Sequence, residues 1–381
     1  MGHVVAHILI LGGSGIWSVW ASGQDGGGVD LRPGPVPGRE SQLPPPGHAE
    51  ENPCPRAKRA GAVTPRPDPR RITVIGSLNT DLVIRAPSLP QVGETVSGGE
   101  FATFPGGKGA NQAVGAARLG ARVALVGCVG DDDFGRRLIA GLRADGIDTS
   151  HVRVDDGSAS GTALIIVDPR GQNAIAVAPG ANWRLTPDDV ARAEALVRDS
   201  AVLLVQLEVP MDTVLAAARL ASTHGVRVVL DPAPAPTRPV PDDLLRLVDV
   251  INPNETEARA LTGVAVTDED GARRAAAWLL NAGARAAVIK LGDRGAFVHD
   301  GTRGQMIPAI PVEPIDTTAA GDAFAAALAV ALAEGRSLLE AARFANATAA
   351  LSVTRRGAQP SMPYRADVEA LLKEQGVPPS P

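Results

Sequence analysis

The sequence predicts an α/β fold, a doubly wound and mostly parallel sheet flanked by helices, with a small β-sheet lid. Near-continuous apolar runs such as AVLLVQLE, VRVVLDP and AAVIKLG alternate with helical segments. Runs of this kind, as opposed to apolar–polar alternation, are typical of strands that are covered on both faces. Strand-like pieces at about 80–105 and 162–178 interrupt that alternation. They predict a small antiparallel sheet, which serves as a lid over the strand ends.

The ordered part of the chain is predicted to begin at RITVIG, a β-branched first strand that Gly76 closes. After the first lid pieces, ANQAVGAARLG predicts a helix with Gly120 just past its end, and ARVALVG predicts a strand. TALIIVD and NAIAVAPG form a predicted strand pair with a turn at 169–171. Helices and apolar strands then alternate up to the alanine-rich helix after DTTAAGD. The predicted domain therefore covers residues 71–375, with a short tail at 376–381.

Residues 1–70 have a different composition. The segment VVAHILILGGSGIWSVWASG is apolar but lacks the basic start of a secretory signal, and a stretch rich in Gly, Pro and charge follows it. Such a stretch cannot form a core, so we predict a disordered N-terminal extension. A secretory signal peptide and a start codon assigned too early are the alternatives.

The bulk composition excludes several functional classes. The chain has 381 residues, of which 44% are hydrophobic, enough for a large core, and its net charge of −5 offers no attraction to nucleic acid. An uninterrupted apolar stretch of membrane-spanning length is missing, so no membrane partner is predicted. The two cysteines, Cys54 and Cys128, do not make a disulfide framework and suit a reducing cytoplasm.

Polar residues follow nearly every predicted strand. In a doubly wound sheet, ligands bind outside the carboxyl ends of the strands, so these residues are expected to converge. They are Asn79, Thr80, Asp81, Glu208, Asp231, the segment 252–257 and the segment 291–295. This convergence predicts a ligand site at that edge of the sheet.

The stretch FPGGKGANQ resembles a phosphate loop, but Gly follows Lys108 where the Walker pattern requires Ser or Thr. One interpretation is a glycine-rich turn with a solvated lysine. The other is that Gly106, Gly107 and Gly109 let the backbone approach a small polyol, while Asn111 offers hydrogen bonds to its hydroxyls. The residues alone leave both open.

In DTTAAGD, the backbone N–H groups of Ala319, Ala320 and Gly321 would form an anion pocket at a helix N-terminus, suited to a phosphoryl group. Asp322 would lie beside it and could accept a proton from an attacking hydroxyl. The alternative is that Asp322 caps the helix, and the two roles are compatible.

The stretch NPNETE places Asn254 and Glu257 three residues apart. Amide and carboxylate oxygens with retained waters suit Mg²⁺. The alternative is an ordinary capped, acidic first turn of a helix.

Together, GSLNTD, GGKGANQAVGAARLG and DTTAAGDAF, with NPNETEA, LGDRG and TRRGAQPSMP, resemble the ribokinase-like (phosphofructokinase B type) carbohydrate kinases from about residue 71 to 375. The resemblance implies ATP-dependent phosphorylation of the ribose 5-hydroxyl, dependent on Mg²⁺ and activated by K⁺. It also implies a homodimer formed through the lid.

The resemblance also implies roles for individual residues. The sugar would be held by Asn79, Thr80, Asp81, Gly107, Lys108, Gly109, Ala110, Asn111, Glu208 and Asp322. Asp322 would be the catalytic base, with Ala319, Ala320 and Gly321 as the anion hole. The nucleotide would contact Asn254, Lys290, Leu291, Gly292, Asp293, Arg294, Gly295, Gly321, Asp322 and Asn346. Glu257 would act on Mg²⁺ through water, and Asp316, Thr318, Ser352, Arg355, Gly357 and Ser361 would form the K⁺ site.

Two residues depart from the family pattern. Thr80 stands where Ala is frequent, and Lys290 replaces an expected Thr or Ser, which adds a charge near the phosphates. They leave open a related kinase for 2-deoxyribose, fructose, adenosine or a phosphorylated sugar. A phosphosugar kinase would need basic residues in the lid stretch 88–104, which has none, and a nucleoside kinase would have only Phe101 and Phe104 for stacking. An inactive sugar-binding regulator would be expected to lack Asp322 or the anion hole, and both are present.

Overall fold

The computed structural model describes residues 10–12, 15–17 and 68–376, with side chains from residue 71 onward. Within the predicted N-terminal extension, Ile10–Gly12 and Gly15–Trp17 pair as an antiparallel hairpin in a unit of its own, Met1–Ala62. Residues 68–70 of the predicted extension belong instead to the first strand of the main sheet. The remaining residues of the extension and the tail 377–381 lie outside the described residues, so the predictions for them stay predictions.

The strands in chain order are β1 (Ile10–Gly12), β2 (Gly15–Trp17), β3 (Asp68–Ile75), β4 (Asn79–Arg85), β5 (Glu100–Gly106), β6 (Arg122–Gly130), β7 (Asp148–Asp155), β8 (Gly161–Val167), β9 (Asn173–Ala178), β10 (Ser200–Val205), β11 (Arg227–Leu230), β12 (Val250–Ile251), β13 (Ala287–Lys290), β14 (Ala296–His299) and β15 (Gly304–Ile307). The helices are α1 (Lys108–Arg118), α2 (Asp133–Ala144), α3 (Pro187–Arg192), α4 (Glu194–Arg198), α5 (Met211–His224), α6 (Asp242–Leu245), α7 (Glu255–Thr262), α8 (Glu269–Asn281), α9 (Ala320–Ala333), α10 (Leu338–Ser352) and α11 (Arg365–Glu374).

The main sheet has nine strands in the order β15-β14-β13-β12-β11-β10-β3-β6-β7. All neighbours from β13 to β7 are parallel, and only β14 and β15 add antiparallel pairs at one edge. The predicted doubly wound, mostly parallel fold is therefore confirmed. The first strand begins at Asp68, three residues before the predicted start.

Both faces of this sheet are buried, which explains the unbroken apolar runs. In β10, Val202 and Leu204 pack into one core cluster, while Leu203 and Val205 pack into the other. The first cluster contains α9, whose residues 322–333 are all buried. Small alanine side chains allow this helix to lie close to the sheet and to α10.

The lid is a four-stranded sheet in the order β5-β4-β8-β9. Its outer pairs are antiparallel, but the central β4 and β8 are parallel, so the prediction of a purely antiparallel lid is wrong. The reason is topological: the chain passes through α1, β6, α2 and β7 between β4 and β8, and a crossover of that length permits a parallel pair.

Candidate active site

Asp322 lies in the first turn of α9, where the chain enters the helix through an unusual conformation. Ala319 precedes the helix with φ of 60°, a left-handed conformation that is uncommon outside glycine. Asp322 is the third helical residue and makes no capping bond, so the capping interpretation is wrong. Its carboxylate is buried and accepts hydrogen bonds from Asn111 Nδ2 at 2.9 Å and Gln112 Nε2 at 3.0 Å.

The electrostatics around this carboxylate suit a proton acceptor. Burial raises the pKa of Asp322 above its ordinary value, while the Lys108 ammonium and the two amide donors act in the opposite direction. Burial alone would lower the pKa of Lys108, but Asp322 and Glu208 together hold it above its usual range. The site therefore keeps a permanent cation beside an acid whose proton affinity is increased.

The predicted sugar residues come together around Lys108. Glu208 accepts a hydrogen bond from Ser77 Oγ at 2.5 Å and from the Lys108 backbone N–H at 3.1 Å. Burial, followed by repulsion from Glu208 and Asp322, raises the pKa of Asp81 to about 7. Several acceptors facing one cation are the groups that would bind the hydroxyls of a polyol.

The glycines of the GGKG stretch are required by close approach to the backbone at the end of β3. Lys108 beside them interacts with the carboxylates of Asp322 and Glu208, which argues against the interpretation of a solvated lysine. A Cβ on Gly109 would lie 2.6 Å from the carbonyl carbon of Gly76, and Gly107 has φ of 87°. At the next position, the Ala110 side chain lies in the hydrophobic core, so only its backbone is available to a ligand.

Two asparagines in this region each keep one amide atom without a hydrogen-bond partner in the described part of the chain. Asn182 Nδ2 donates to Asn79 Oδ1 at 2.7 Å, which fixes that amide with its Nδ2 as the remaining donor. Asn111 donates to Asp322, and its buried Oδ1 has no partner among the described residues. Thr80 alternates to the opposite face of β4 from Asn79 and Asp81, so its side chain does not join them.

Lys108 and Asp322 both line a cavity of about 1040 Å³. Most of the predicted nucleotide residues line it, together with parts of the 308–314 segment, α9 and α10. Those predicted residues are Asn254, Lys290, Gly292, Asp293, Arg294, Gly295, Gly321, Asp322 and Asn346. Leu291 is the exception, because its side chain is buried in the core below the cavity.

The three residues of the predicted anion pocket also line this cavity. They are Ala319, Ala320 and Gly321. The Ala320 N–H makes a long bond of 3.3 Å to the Thr317 carbonyl. The N–H groups of Ala319 and Gly321 have no partner within the described part of the chain. Free N–H groups at a helix N-terminus favour a bound anion.

Asn254 and Glu257 form a capping box at the start of α7, so the alternative of a capped acidic turn describes their geometry. The same pair also lines the cavity, and Glu257 is buried 3.9 Å from Lys290 Nζ. Burial raises the pKa of Glu257, and Lys290 opposes that shift. A carboxylate that lines the cavity fits the water-mediated Mg²⁺ role.

The predicted K⁺ residues lie on two segments that the structure joins. Asp316 accepts hydrogen bonds from the N–H groups of Thr318 and Gly357, both at 2.9 Å. Ser352 and Ser361 donate to nearby carbonyls, and the Arg355 side chain pairs with Asp367. In residues 71–376, no cluster of three His, Cys, Asp or Glu side chains could hold a metal. A set with one carboxylate and neutral oxygens fits a monovalent cation.

Three further polar residues belong to the site, Gln112, Gln206 and Asp231, and sequence patterns predict only the last of them. Gln112 Nε2 donates to Asp322 and also to Asp231 Oδ2 at 2.8 Å, while its Oε1 accepts from Gln206 at 2.5 Å. Asp231 follows a predicted strand, which was the available signal for it. Nothing in the pattern identifies Gln112, because its neighbour Asn111 explains the polar start of the helix equally well.

Comparisons with known proteins identify the family of this chain. Residues 69–365 match the model of the pfkB family carbohydrate kinases. The chain is 44% identical to ribokinase of Haemophilus influenzae and 42% identical to that of Bacillus subtilis, in each case over 80% of this chain and 99% of the relative. The structure of Arabidopsis thaliana ribokinase complexed with ribose and ATP superposes with a TM-score of 0.74 at 35% identity, covering 81% of this chain and 99% of that one. The chain therefore belongs to the pfkB family of carbohydrate kinases.

Proposed function

We propose that this chain is an ATP-dependent kinase that phosphorylates D-ribose at O5 and releases D-ribose 5-phosphate and ADP. The observation that carries the proposal is the position of Asp322. Its buried carboxylate accepts a hydrogen bond from Asn111 and lines, with Lys108, the same cavity as the free N–H groups at the start of α9. The relatives named ribokinase, and the Arabidopsis thaliana structure with ribose and ATP, support ribose as the acceptor.

In the proposed reaction, Asp322 accepts the proton of the 5-hydroxyl as the oxygen attacks the γ-phosphorus of ATP. The bond between the γ-phosphorus and the β–γ bridging oxygen breaks, and its electron pair leaves with ADP. The N–H groups of Ala319 and Gly321 stabilise charge on the transferring phosphoryl oxygens. Asn111 and Gln112 hold the base in position, since both donate to its carboxylate.

The nucleotide and the ions have separate proposed places. ATP would lie in the cavity along Asn254, the 292–295 loop and Asn346. When bound, Mg²⁺ would neutralise phosphate charge, with Glu257 reaching it through water. The cation site at Asp316 would hold K⁺ behind the anion pocket and order that loop, because Asp316 joins the 318 and 357 backbones.

The main alternative is a related kinase with another acceptor, 2-deoxyribose, fructose, adenosine or a phosphorylated sugar. Phe101 lies on the exposed lid face opposite to Asp81, which leaves Phe104, the cross-strand partner of Asp81, as the candidate stacking ring for a base. An inactive regulator is the second alternative. Against it stands a complete base with its two amide donors.

We also propose a homodimer formed through the lid, a self-sufficient kinase domain that excludes the extension 1–67, and a cytoplasmic location. The lid has an exposed apolar face, which supports the dimer. The family match begins at residue 69, which supports the domain boundary. Among residues 68–376, no helix has the length and apolarity to cross a bilayer. The location itself stays a prediction.

Turnover by the purified chain against ribose, 2-deoxyribose, fructose, fructose 6-phosphate and adenosine tests the function. Each acceptor is assayed with ATP and Mg²⁺, in K⁺ and then in Na⁺. We expect ribose to be preferred and its turnover to rise in K⁺. Preference for another acceptor would change the assigned substrate and leave the proposed mechanism unchanged. If the protein binds ribose and ATP yet leaves every acceptor unphosphorylated, the kinase proposal is wrong and the regulator is supported.

A further inference from the structure

The carboxyl ends of β11 and β13 carry an ion pair between Asp231 and Lys290, a lysine whose place among the predicted nucleotide residues does not say which phosphate it contacts. Lys290 Nζ lies 2.6 Å from Asp231 Oδ1, and Asp231 is only 1% exposed. Asp231 follows β11, and Lys290 ends β13. Both side chains line the nucleotide cavity. The ion pair therefore forms part of the cavity wall, at the ends of two strands of the main sheet.

Stability alone does not account for this pair. Burying two charges costs desolvation free energy that their attraction barely offsets, so apolar residues of similar size usually serve a fold as well. A small hydroxyl residue at position 290 would form hydrogen bonds at the end of the strand without adding a charge. The Lys290 ammonium also has three donors, and Asp231 uses one of them at hydrogen-bond distance.

The remaining donors of Lys290 lie beside the anion pocket. A Cβ built on Gly321 would be 3.5 Å from Lys290 Nζ, so the ammonium lies close to the residue whose N–H is free. Any larger residue at 321 would occupy that space. An ammonium and a helix N-terminus that lie this close together are suited to an oxygen carrying negative charge.

We propose that Lys290 binds the γ-phosphoryl group of ATP and that Asp231 positions it there. This assignment rests on the proposed kinase function and adds a residue to it. Asp231 keeps the flexible side chain extended along the cavity wall before the nucleotide arrives. Gln112 in turn holds Asp231 through its Oδ2, opposite the oxygen that Lys290 contacts. The base and the phosphate-binding lysine are thus connected through one buried amide.

The test separates the γ-phosphate from the rest of the nucleotide. Binding of ADP and of an ATP analogue with a non-hydrolysable β–γ bridge is measured by calorimetry at fixed Mg²⁺, without sugar. For Lys290→Thr we expect affinity for the analogue to fall about 10- to 100-fold, the range of one hydrogen bond to a charged group. Affinity for ADP should change less than about threefold. Lys290→Arg should retain most of the preference for the analogue.

Two further variants control for an unpaired Asp231 and for the loss of one positive charge. Lys290→Thr leaves Asp231 buried without its partner, so the double variant Asp231→Asn/Lys290→Thr replaces the pair by neutral groups. It should keep the loss for the analogue, because the phosphate contact is still missing. Arg285→Thr removes an equal charge from the ion pair with Asp249 at the opposite end of neighbouring strands, and should leave both affinities unchanged.

Three results would overturn the assignment. Equal losses for ADP and the analogue would make Lys290 a general nucleotide contact. Recovery of analogue binding in the double variant would trace the effect to the orphaned Asp231. An unchanged preference for the analogue over ADP in Lys290→Thr would show that Lys290 does not contact the γ-phosphate, and the proposed kinase function would be unaffected. If the unmodified chain binds neither nucleotide, the proposed function fails as well, which distinguishes the two failures.

Discussion

The Asp322 carboxylate is buried, and yet it has to be ionised in order to accept a proton. The structure reconciles the two requirements with Asn111, Gln112 and Lys108, which favour the ionised form, while burial favours the protonated form. Burial prevails, so the pKa of Asp322 lies above its ordinary value, and the three partners limit the shift. A surface aspartate would be a weaker base, because its pKa would stay near the ordinary value.

Replacing Asp322 by Asn tests this role directly. The amide has nearly the same size but cannot accept the proton, so we expect turnover to fall by about 10²- to 10⁴-fold while sugar affinity stays within about threefold. Turnover is measured by a coupled ADP assay and sugar affinity by calorimetry. Asp243→Asn, a change in an exposed ion pair on α6, is the matched control. Near-normal turnover in Asp322→Asn would exclude the residue as the base.

The raised pKa of Asp81 has a consequence for stability. Its value of about 7 in the folded protein exceeds the ordinary 3.8, so the folded state binds this proton more tightly. The free energy of unfolding should therefore decrease as pH rises from about 4 to about 7, and Asp81→Asn should remove that part of the decrease.

We expect the stability advantage of Asp81→Asn over the unmodified chain to be small near pH 4. It should grow by about 1–2 kcal/mol towards pH 8, after allowance for partial solvent screening. Denaturant unfolding of the sugar-free protein at both pH values measures it. An advantage that stays constant with pH would contradict the shifted pKa.

At the scale of elements, the sugar side of the site depends on how closely the start of α1 approaches the end of β3. Gly109 lies against the Gly76 and Ser77 backbone, where a Cβ has no room. Backbone atoms cannot give way as a flexible side chain can, so any side chain here moves the helix and the residues it positions.

Gly109→Ala should therefore destabilise the protein by about 1–3 kcal/mol and weaken sugar binding. The control is Gly141→Ala, in the middle of α2 with nothing within 4 Å of the added carbon. There the same change should stabilise by about 0.5–1 kcal/mol, because alanine favours the helix. Chemical denaturation of both variants gives the comparison. A Gly109→Ala protein as stable as Gly141→Ala would refute the packing argument.

The elements that the sequence predicts well are those with a strong local pattern. The buried runs predicted the parallel strands, and Gly120 predicted the end of α1. The parallel β4–β8 pair and the Asn182–Asn79 contact could not be predicted, since they join residues about 80 to 100 positions apart. Likewise, Gln112 faces Asp231 only because α1 crosses the strand ends. Local motifs indicate which groups are present, whereas tertiary packing decides which ones meet.

At the scale of the whole molecule, the first question is how much of the chain the kinase needs. The domain begins with β3 at Asp68, and its Asp68 pairs with Ser200 of β10. Removing residues 1–67 should leave turnover and melting temperature unchanged, because every predicted site residue lies beyond that boundary. Activity and thermal unfolding of the truncated chain are the measurements. A truncated protein that fails to fold would show that the boundary is wrong.

The exposed face of the lid predicts how two copies of the chain associate. Ile84, Phe101 and Leu164 lie on one face of the lid sheet and are 43%, 64% and 55% exposed. A neighbouring set of exposed apolar side chains on one sheet face favours association. If two lids pack through this face, Phe101→Glu/Leu164→Glu should convert a dimer into a monomer in sedimentation experiments. Trp278→Glu, an exposed aromatic on α8, should leave the dimer intact. A monomeric unmodified chain at micromolar concentration would instead mean that this face does not mediate self-association.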